Sequence, residues 1–253
     1  MNFYLYTAFQ SISILNKVSS KKVTKHFAID LREIWNVIFY IIKTGCQRRM
    51  LPGDFAPWKT VCYYYRKWSS LGETDLLLND LSGKVRLRMG QNREAGLGIM
   101  DSRSVHWGDN RSPKGFDGNK KVKGIKRHLA VDKNGFPLAV MVTDAGVHDG
   151  TASLTLTRIL KDSLSPVKVI LADAGYHGKF AERIRRDTGY KVEIVVSGDK
   201  KKGFKPLKKR WVVERTFDWF DNYRRLCRNY ERAIETVEIV VKISAIRLLL
   251  NKI

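Results

Sequence analysis

PVKVILAD, residues 166–173, is a short apolar run rich in β-branched side chains that ends on a carboxylate. Such a run suits a buried strand. Upstream of it, residues 150–163 carry Leu154, Leu156, Ile159 and Leu160 as the apolar positions of a helix. Further back, 128–132 and 137–143 read as two strands joined by Asp132-Lys133-Asn134-Gly135, whose Asn-Gly centre is a hairpin signal. Residues 98–105 hold the apolar pair Ile99-Met100 running straight into Asp101, and 106–127 are polar, glycine-rich and basic. Downstream, 179–188 is a basic helix stopped by Gly189, and 190–196 is another strand. After a Lys-rich loop at 200–209, a helix runs from near Arg210 to about Asn222, and 230–253 is helical with an apolar run through Val240, Val241, Ile243 and Ile246. Strand, hairpin, helix, strand, helix, strand, helix predicts an α/β fold: a mixed sheet with flanking helices.

The N-terminal third has a different period. In DLREIWNVIFYIIK, residues 30–43, Leu31, Ile34, Ile38, Ile41 and Ile42 recur at helical spacing. Asp30 is its N-cap, Glu33 the capping-box partner and Gly45 the stop. Pro57 opens a second helix whose stripe of Val61, Tyr64, Tyr65 and Trp68 reads as packing, and a third spans 73–85. GQNREAGLG, 90–98, reads as a linker. The division is therefore an irregular extension at 1–25, a small all-helical domain at 26–89, the linker, and a second domain at 99–253.

The 253 residues carry 47 Lys and Arg against 25 Asp and Glu, a formal charge of +22. That excess calls for a polyanionic partner, nucleic acid first and an anionic membrane surface second. With 43% hydrophobic and 11% aromatic residues, global disorder is excluded. Cys46, Cys62 and Cys227 form no C-x-x-C pair, so they read as three packed thiols in a reducing compartment. No run reaches the roughly eighteen apolar residues of a membrane helix. The apolar start, MNFYLYTAFQSISILN, lacks the basic residues of a signal peptide.

Three acids stand out by position. Asp101 ends the first apolar strand of the second domain, Asp173 ends VKVILAD, and Glu214 lies one turn into a long helix. Side chains at strand ends beside loops are where open α/β sheets do chemistry. Clustered carboxylates repel unless a cation sits among them, and hard oxygen donors suit Mg²⁺ or Mn²⁺. Taken singly, each acid reads as an ordinary surface, turn or capping residue.

The segments GIMDSRSV (98–105), GFDGNKKVKGIKRH (115–128), ADAGYHG (172–178) and RWVVERTF (210–217) with YRRL (223–226) resemble bacterial insertion-sequence transposases of the insertion sequence 5 family. TGCQRRMLP (44–52), Trp58 and Tyr63-Tyr64-Tyr65 resemble the same family, so the likeness runs from about residue 30 to 250. It implies a ribonuclease-H-like catalytic domain whose triad of Asp101, Asp173 and Glu214 holds Mg²⁺ or Mn²⁺, two ions in all. It implies cutting at the element's ends by water, then attack of the freed 3′-hydroxyl on target DNA. The helices of 26–89 would bind those ends. Double-stranded DNA is the expected partner, with a homo-oligomer on DNA, no membrane, and a bacterial cytoplasmic, nucleoid-associated location. Two positions depart from the family pattern: Leu207 stands where a Tyr is usual, and Asp221, seven residues after Glu214, where Lys or Arg is usual. Those departures keep open a second reading, a catalytically impaired relative that only binds DNA.

Two basic stretches bracket the acids. Residues 119–128 hold Lys120, Lys121, Lys123, Lys126 and Arg127 with no acid. Residues 200–232 hold twelve Lys and Arg against four acids, among them Arg210, Arg215, Arg224 and Arg225. Both are expected to track phosphates. His148, Asp149 and His177 are candidates to support the triad, although Asp149 serves equally as a charge at a helix start. Trp211, Phe217 and Trp219 are expected in the core.

Overall fold

The computed structural model describes residues 30–163, 166–176, 178–195 and 211–253. Helix α1 (Leu31–Thr44) starts where Asp30 accepts the Arg32 amide at 2.9 Å and stops at Gly45, whose φ of 70° is the left-handed C-cap conformation. Glu33 is in the first turn, but only its backbone N–H reaches Asp30. Helices α2 (Trp58–Ser70) and α3 (Glu73–Arg88) follow. Trp68 of α2 stacks on Trp35 of α1 at 4.8 Å, so the aromatic stripe packs as expected.

The sheet comprises β1 (Leu97–His106), β2 (Gly115–Asp117), β3 (Val122–Val131), β4 (Pro137–Asp144), β5 (Val169–Ala172) and β6 (Lys191–Ile194). Its long strands lie in the order β4, β3, β1, β5, β6, with short β2 on the same edge of β3 as β4. β1, β3 and β4 are antiparallel, while β5 and β6 run parallel to β1. Helix α4 (Asp149–Asp162) joins β4 to β5, and α5 (Lys179–Thr188) joins β5 to β6. Three antiparallel strands followed by two parallel ones with helical crossovers are the ribonuclease-H-like arrangement expected. β3 begins at Val122 rather than near 128, because Gly124 and its neighbours pair with the far end of β1.

Residues alternate between two layers. One face packs Met100, Ala130 and Ile170 against Leu156 and Leu160 of α4 and Ile184 of α5. On the other, Ile99, Leu129 and Leu171 meet α6 (Trp211–Asp221), α8 (Ile234–Leu250) and the N-terminal helices. A short helix, α7 (Arg224–Cys227), lies between α6 and α8. One hydrophobic cluster thus runs from Ile34 through Leu81 and Val213 to Leu249. The helical region expected at 26–89 shares this core with the sheet, and β1 starts at Leu97, inside the expected linker. Packing does not divide the chain there.

The joint is polar. Arg86 of α3 donates to the carboxylate of Asp132, which is 0% exposed, and to the carbonyls of Asn92 and Glu94. Asp132 also accepts the amides of Asn134 and Phe136, closing the hairpin loop between β3 and β4. Removing one partner of a buried pair strands the other charge. Arg86→Ala is expected to cost about 3–5 kcal/mol of unfolding free energy, read by urea denaturation.

Candidate functional site

Register assembles the site. β1 pairs with β5 so that Ile99 lies opposite Leu171, and both side chains enter the same core. Two residues further along β1 lies Asp101, and Asp173 directly follows the last residue of β5. Asp101 accepts the backbone amide of Ser102 at 2.8 Å, and Asp173 accepts that of Gly175 at 2.9 Å. The turn after Asp173, Ala174–Tyr176, folds Tyr176 into the opposite layer. Burial, then the charges of Asp101 and Asp149, push the Tyr176 hydroxyl well above its usual 10. Asp173 adds to that, while a hydrogen bond with Ser102 opposes it.

Glu214 comes from across the layer. Arg215 donates to the Asn134 carbonyl at 2.7 Å and Thr216 to that of Gly135 at 2.8 Å, seating the first half of α6 on the hairpin turn. Gly135 has φ 87°, and a Cβ there would stand 2.7 Å from the Thr216 hydroxyl, so only glycine allows this approach. The second half is held by Arg103, two residues after Asp101 on the same face of β1. Its guanidinium bonds Asp221 at 2.7 Å and Asp218 at 2.8 Å and lies 5.0 Å from the Phe217 ring centroid. Glu214, Asp218 and Asp221 share one helical stripe. Glu214 is solvent-exposed and occupies the turn before that clamp. Among the described residues, no three of His, Cys, Asp and Glu are gathered closely enough to hold an ion. Asp101 and Asp173 both act on the Tyr176 hydroxyl, and Glu214 lies on α6.

Behind Asp101, the other face of β1 carries a buried polar network. Ser102 donates to Asp149 at 2.9 Å, Ser104 donates to Asp117, and Lys126 reaches Asp149 at 3.1 Å and Asp117 at 3.5 Å. Burial pushes the Asp117 carboxyl up, but the Ser104 hydroxyl, the Lys120 amide, Lys126 and the Asn119 amide hold it at about 2. Lys126 also donates to the Val147 carbonyl. Two expectations are corrected here. Lys126 is 5% exposed and Arg127, which donates to the Leu226 carbonyl, 2% exposed, so neither lies on a phosphate track. Both faces of β3 are covered at these two positions, so Lys126 pairs with internal carboxylates and Arg127 bonds a carbonyl.

Of the remaining basic candidates, Lys120, Lys121, Lys123 and Arg224 are exposed, although Lys120 bonds the Ser102 carbonyl. Arg225 pairs with Glu231 at 2.7 Å, and Arg215 stacks between Trp211 and Trp219. Arg210, Leu207 and His177 lie outside the described residues. Asp149 accepts from Ser102 and pairs with Lys126, while His148 caps α4 by accepting the Gly150 amide. Phe217 is buried as expected, but Trp211 is 48% exposed because it sits on the outer side of the first turn of α6. Cys227 is likewise exposed rather than packed. Arg103 went unremarked in the sequence, because only the fold shows that Asp218 and Asp221 face it.

His128, on β3 beside Thr143, carries the site's acid sensitivity. Burial holds it down at about 4 from its usual 6.5. Between those values the unfolded chain takes a proton that the folded chain refuses. Stability is therefore full above pH 6.5 and falls as pH drops toward 4. Denaturation at pH 5 is expected to show about 2 kcal/mol less stability from this group than at pH 7, a difference His128→Gln removes.

A family model described as "Transposase DDE domain" matches residues 92–248, and one described as "Putative transposase of IS4/5 family" matches 10–78. The chain is 35% identical over 147 residues to the "Putative transposase for insertion sequence element IS402" of Burkholderia cepacia. That match covers 53% of this chain and 65% of the relative, just under two thirds of its length. Among solved structures, the Mos1 transposase paired-end complex with left transposon end aligns over 74% of this chain and 64% of its own, at 12% identity and a TM-score of 0.27. The Drosophila P element transposase strand transfer complex aligns over 76% and 48%, at 10% identity and a TM-score of 0.29.

Proposed function

Because the chain belongs to the transposase DDE-domain family, with an IS4/5-type N-terminal region, we propose that it is a DNA transposase that cuts the ends of its own insertion sequence and joins them to target DNA. The observation that supports this reading is the parallel register of β1 and β5, which, carried two residues beyond Ile99 and Leu171, would set Asp101 beside Asp173 on the face covered by α6. Glu214, on α6, completes the set of three carboxylates.

The donor chemistry fits a hard divalent cation. Three carboxylates suit Mg²⁺ or Mn²⁺, and the strongly basic chain supplies the opposite charge for DNA phosphates. When bound, a pair of such ions activates the attacking oxygen and stabilises the leaving oxygen of a phosphodiester. Asp101, Asp173 and Glu214 would hold them. The chain's own residues do the rest. Tyr176, kept protonated by its buried acidic surroundings, anchors the turn that carries Asp173. Ser102, Asp149 and Lys126 fix β1 from behind. Lys121, Lys123 and Arg224 are exposed and free to meet phosphates, with Arg210 as the partner expected from the basic stretch before α6. The helices α1–α3 engage the element's ends, and the protein works as a homo-oligomer on paired ends, in the cytoplasm.

Asp101→Asn, Asp173→Asn and Glu214→Gln are each expected to abolish Mg²⁺-dependent cleavage of DNA carrying the element's terminal repeats while gel-shift binding persists. Robust cleavage by one variant removes that residue from the triad. If the wild-type chain binds but yields no product, it is a DNA-binding relative without catalysis. Binding should also weaken steeply with salt, each neutralised phosphate adding about −0.9 to the log–log slope.

A further inference from the structure

Asp221 is the acid where the resembling family carries a base, and the fold supplies a use for it. Arg103 reaches Asp221 through one guanidinium nitrogen and Asp218 through the other, with the buried Phe217 ring beneath. A planar fork spanning two carboxylates is geometry that Arg provides and Lys does not. The contact joins the strand that carries Asp101 to the helix that carries Glu214. α6 is also tied to the hairpin turn at Arg215 and Thr216, and its Val212, Val213, Phe217 and Phe220 are buried in the core. Buried packing places the helix, and the tie at residues 218 and 221 adds a constraint on the exposed stripe that also carries Glu214.

We propose that Arg103, Asp218 and Asp221 form a positioning clamp that orients Glu214 toward Asp101 and Asp173, and that Asp221 serves this clamp instead of gripping DNA. The assignment rests on the transposase reading of the three acids. Exposed ion pairs contribute little to global stability, so the clamp acts on orientation rather than on whether the chain folds. It also offsets one of the two negative charges that would otherwise repel both Glu214 and a DNA phosphate.

Asp221→Lys separates this from the family pattern, because it restores the base usual there while opposing Arg103. With the full chain and duplex carrying the terminal repeats, the clamp predicts that Asp221→Lys lowers the single-turnover cleavage rate at saturating DNA at least tenfold, with DNA affinity equal or tighter. Arg103→Lys is expected to lose rate similarly at unchanged affinity, and Asp218→Asn with Asp221→Asn likewise, although removing two negative charges favours DNA. Unchanged or faster cleavage by Asp221→Lys overturns the clamp, as does a rate loss in Arg103→Lys matched by an equal loss of affinity. Amide hydrogen exchange judges the clamp without catalysis: Arg103→Lys must speed exchange at residues 217–221 while 212–216 stay protected, and unchanged exchange overturns it. Absence of cleavage by the wild-type chain overturns the transposase reading instead, leaving the exchange result to decide the clamp.

Discussion

The pairing of β1 with β3 in one register sets everything else. Asp101 lies opposite Leu129, and β1 is covered on both faces, so its odd-numbered residues from Ile99 to Arg103 enter the α6 layer and its even-numbered ones the α4 layer. A slip of one residue would exchange the two sets. Asp101 would then face α4, and Met100 would be thrust into the layer that Ile99 fills. The large apolar side chains Met100, Ile125 and Leu129, each almost wholly buried, hold that register against slippage. The same alternation puts Ser102 and Ser104 onto Asp149 and Asp117.

Burying so many charges on β3 and its neighbours carries a desolvation cost, which pairing offsets for Lys126, Asp117 and Asp149. Lys126 touches two carboxylates and a carbonyl, while Arg127 bonds a carbonyl of α7. His128 avoids the cost by staying neutral at ordinary pH. A strand anchored by satisfied polar groups on one face and close apolar packing on the other holds its acids rigidly. The Arg86–Asp132 pair does the same at the far end, tying the hairpin on which α6 rests to the N-terminal helices. The helical region is thereby tied to the hairpin on which α6 rests.

Local signals were legible where the chain's own chemistry decides the outcome. Asp30 and Gly45 bound α1, Asn134-Gly135 lies in the hairpin turn, Gly189 stops α5, and the last four residues of the run 166–172 form a strand next to β1. The charged stretch 119–128 misled, because Lys126 and Arg127 look like surface residues until both faces of β3 are seen to be covered. Trp211 misled in the opposite sense: its indole is large and apolar, but its place on the outer side of α6 leaves it half in solvent. Neither outcome is encoded in a local window.

The amino-acid sequence alone determined the order of elements, the caps and turns, the basic excess, and three acids at strand ends and on a helix. These follow from periodicity and backbone preference, which act over a few residues. Only the tertiary structure decided which bases are spent internally and which side chain Asp221 pairs with. Those depend on contacts between residues far apart in the chain, such as Arg103 with Asp218 and Asp221, and on strand register, which shows only when the sheet is assembled.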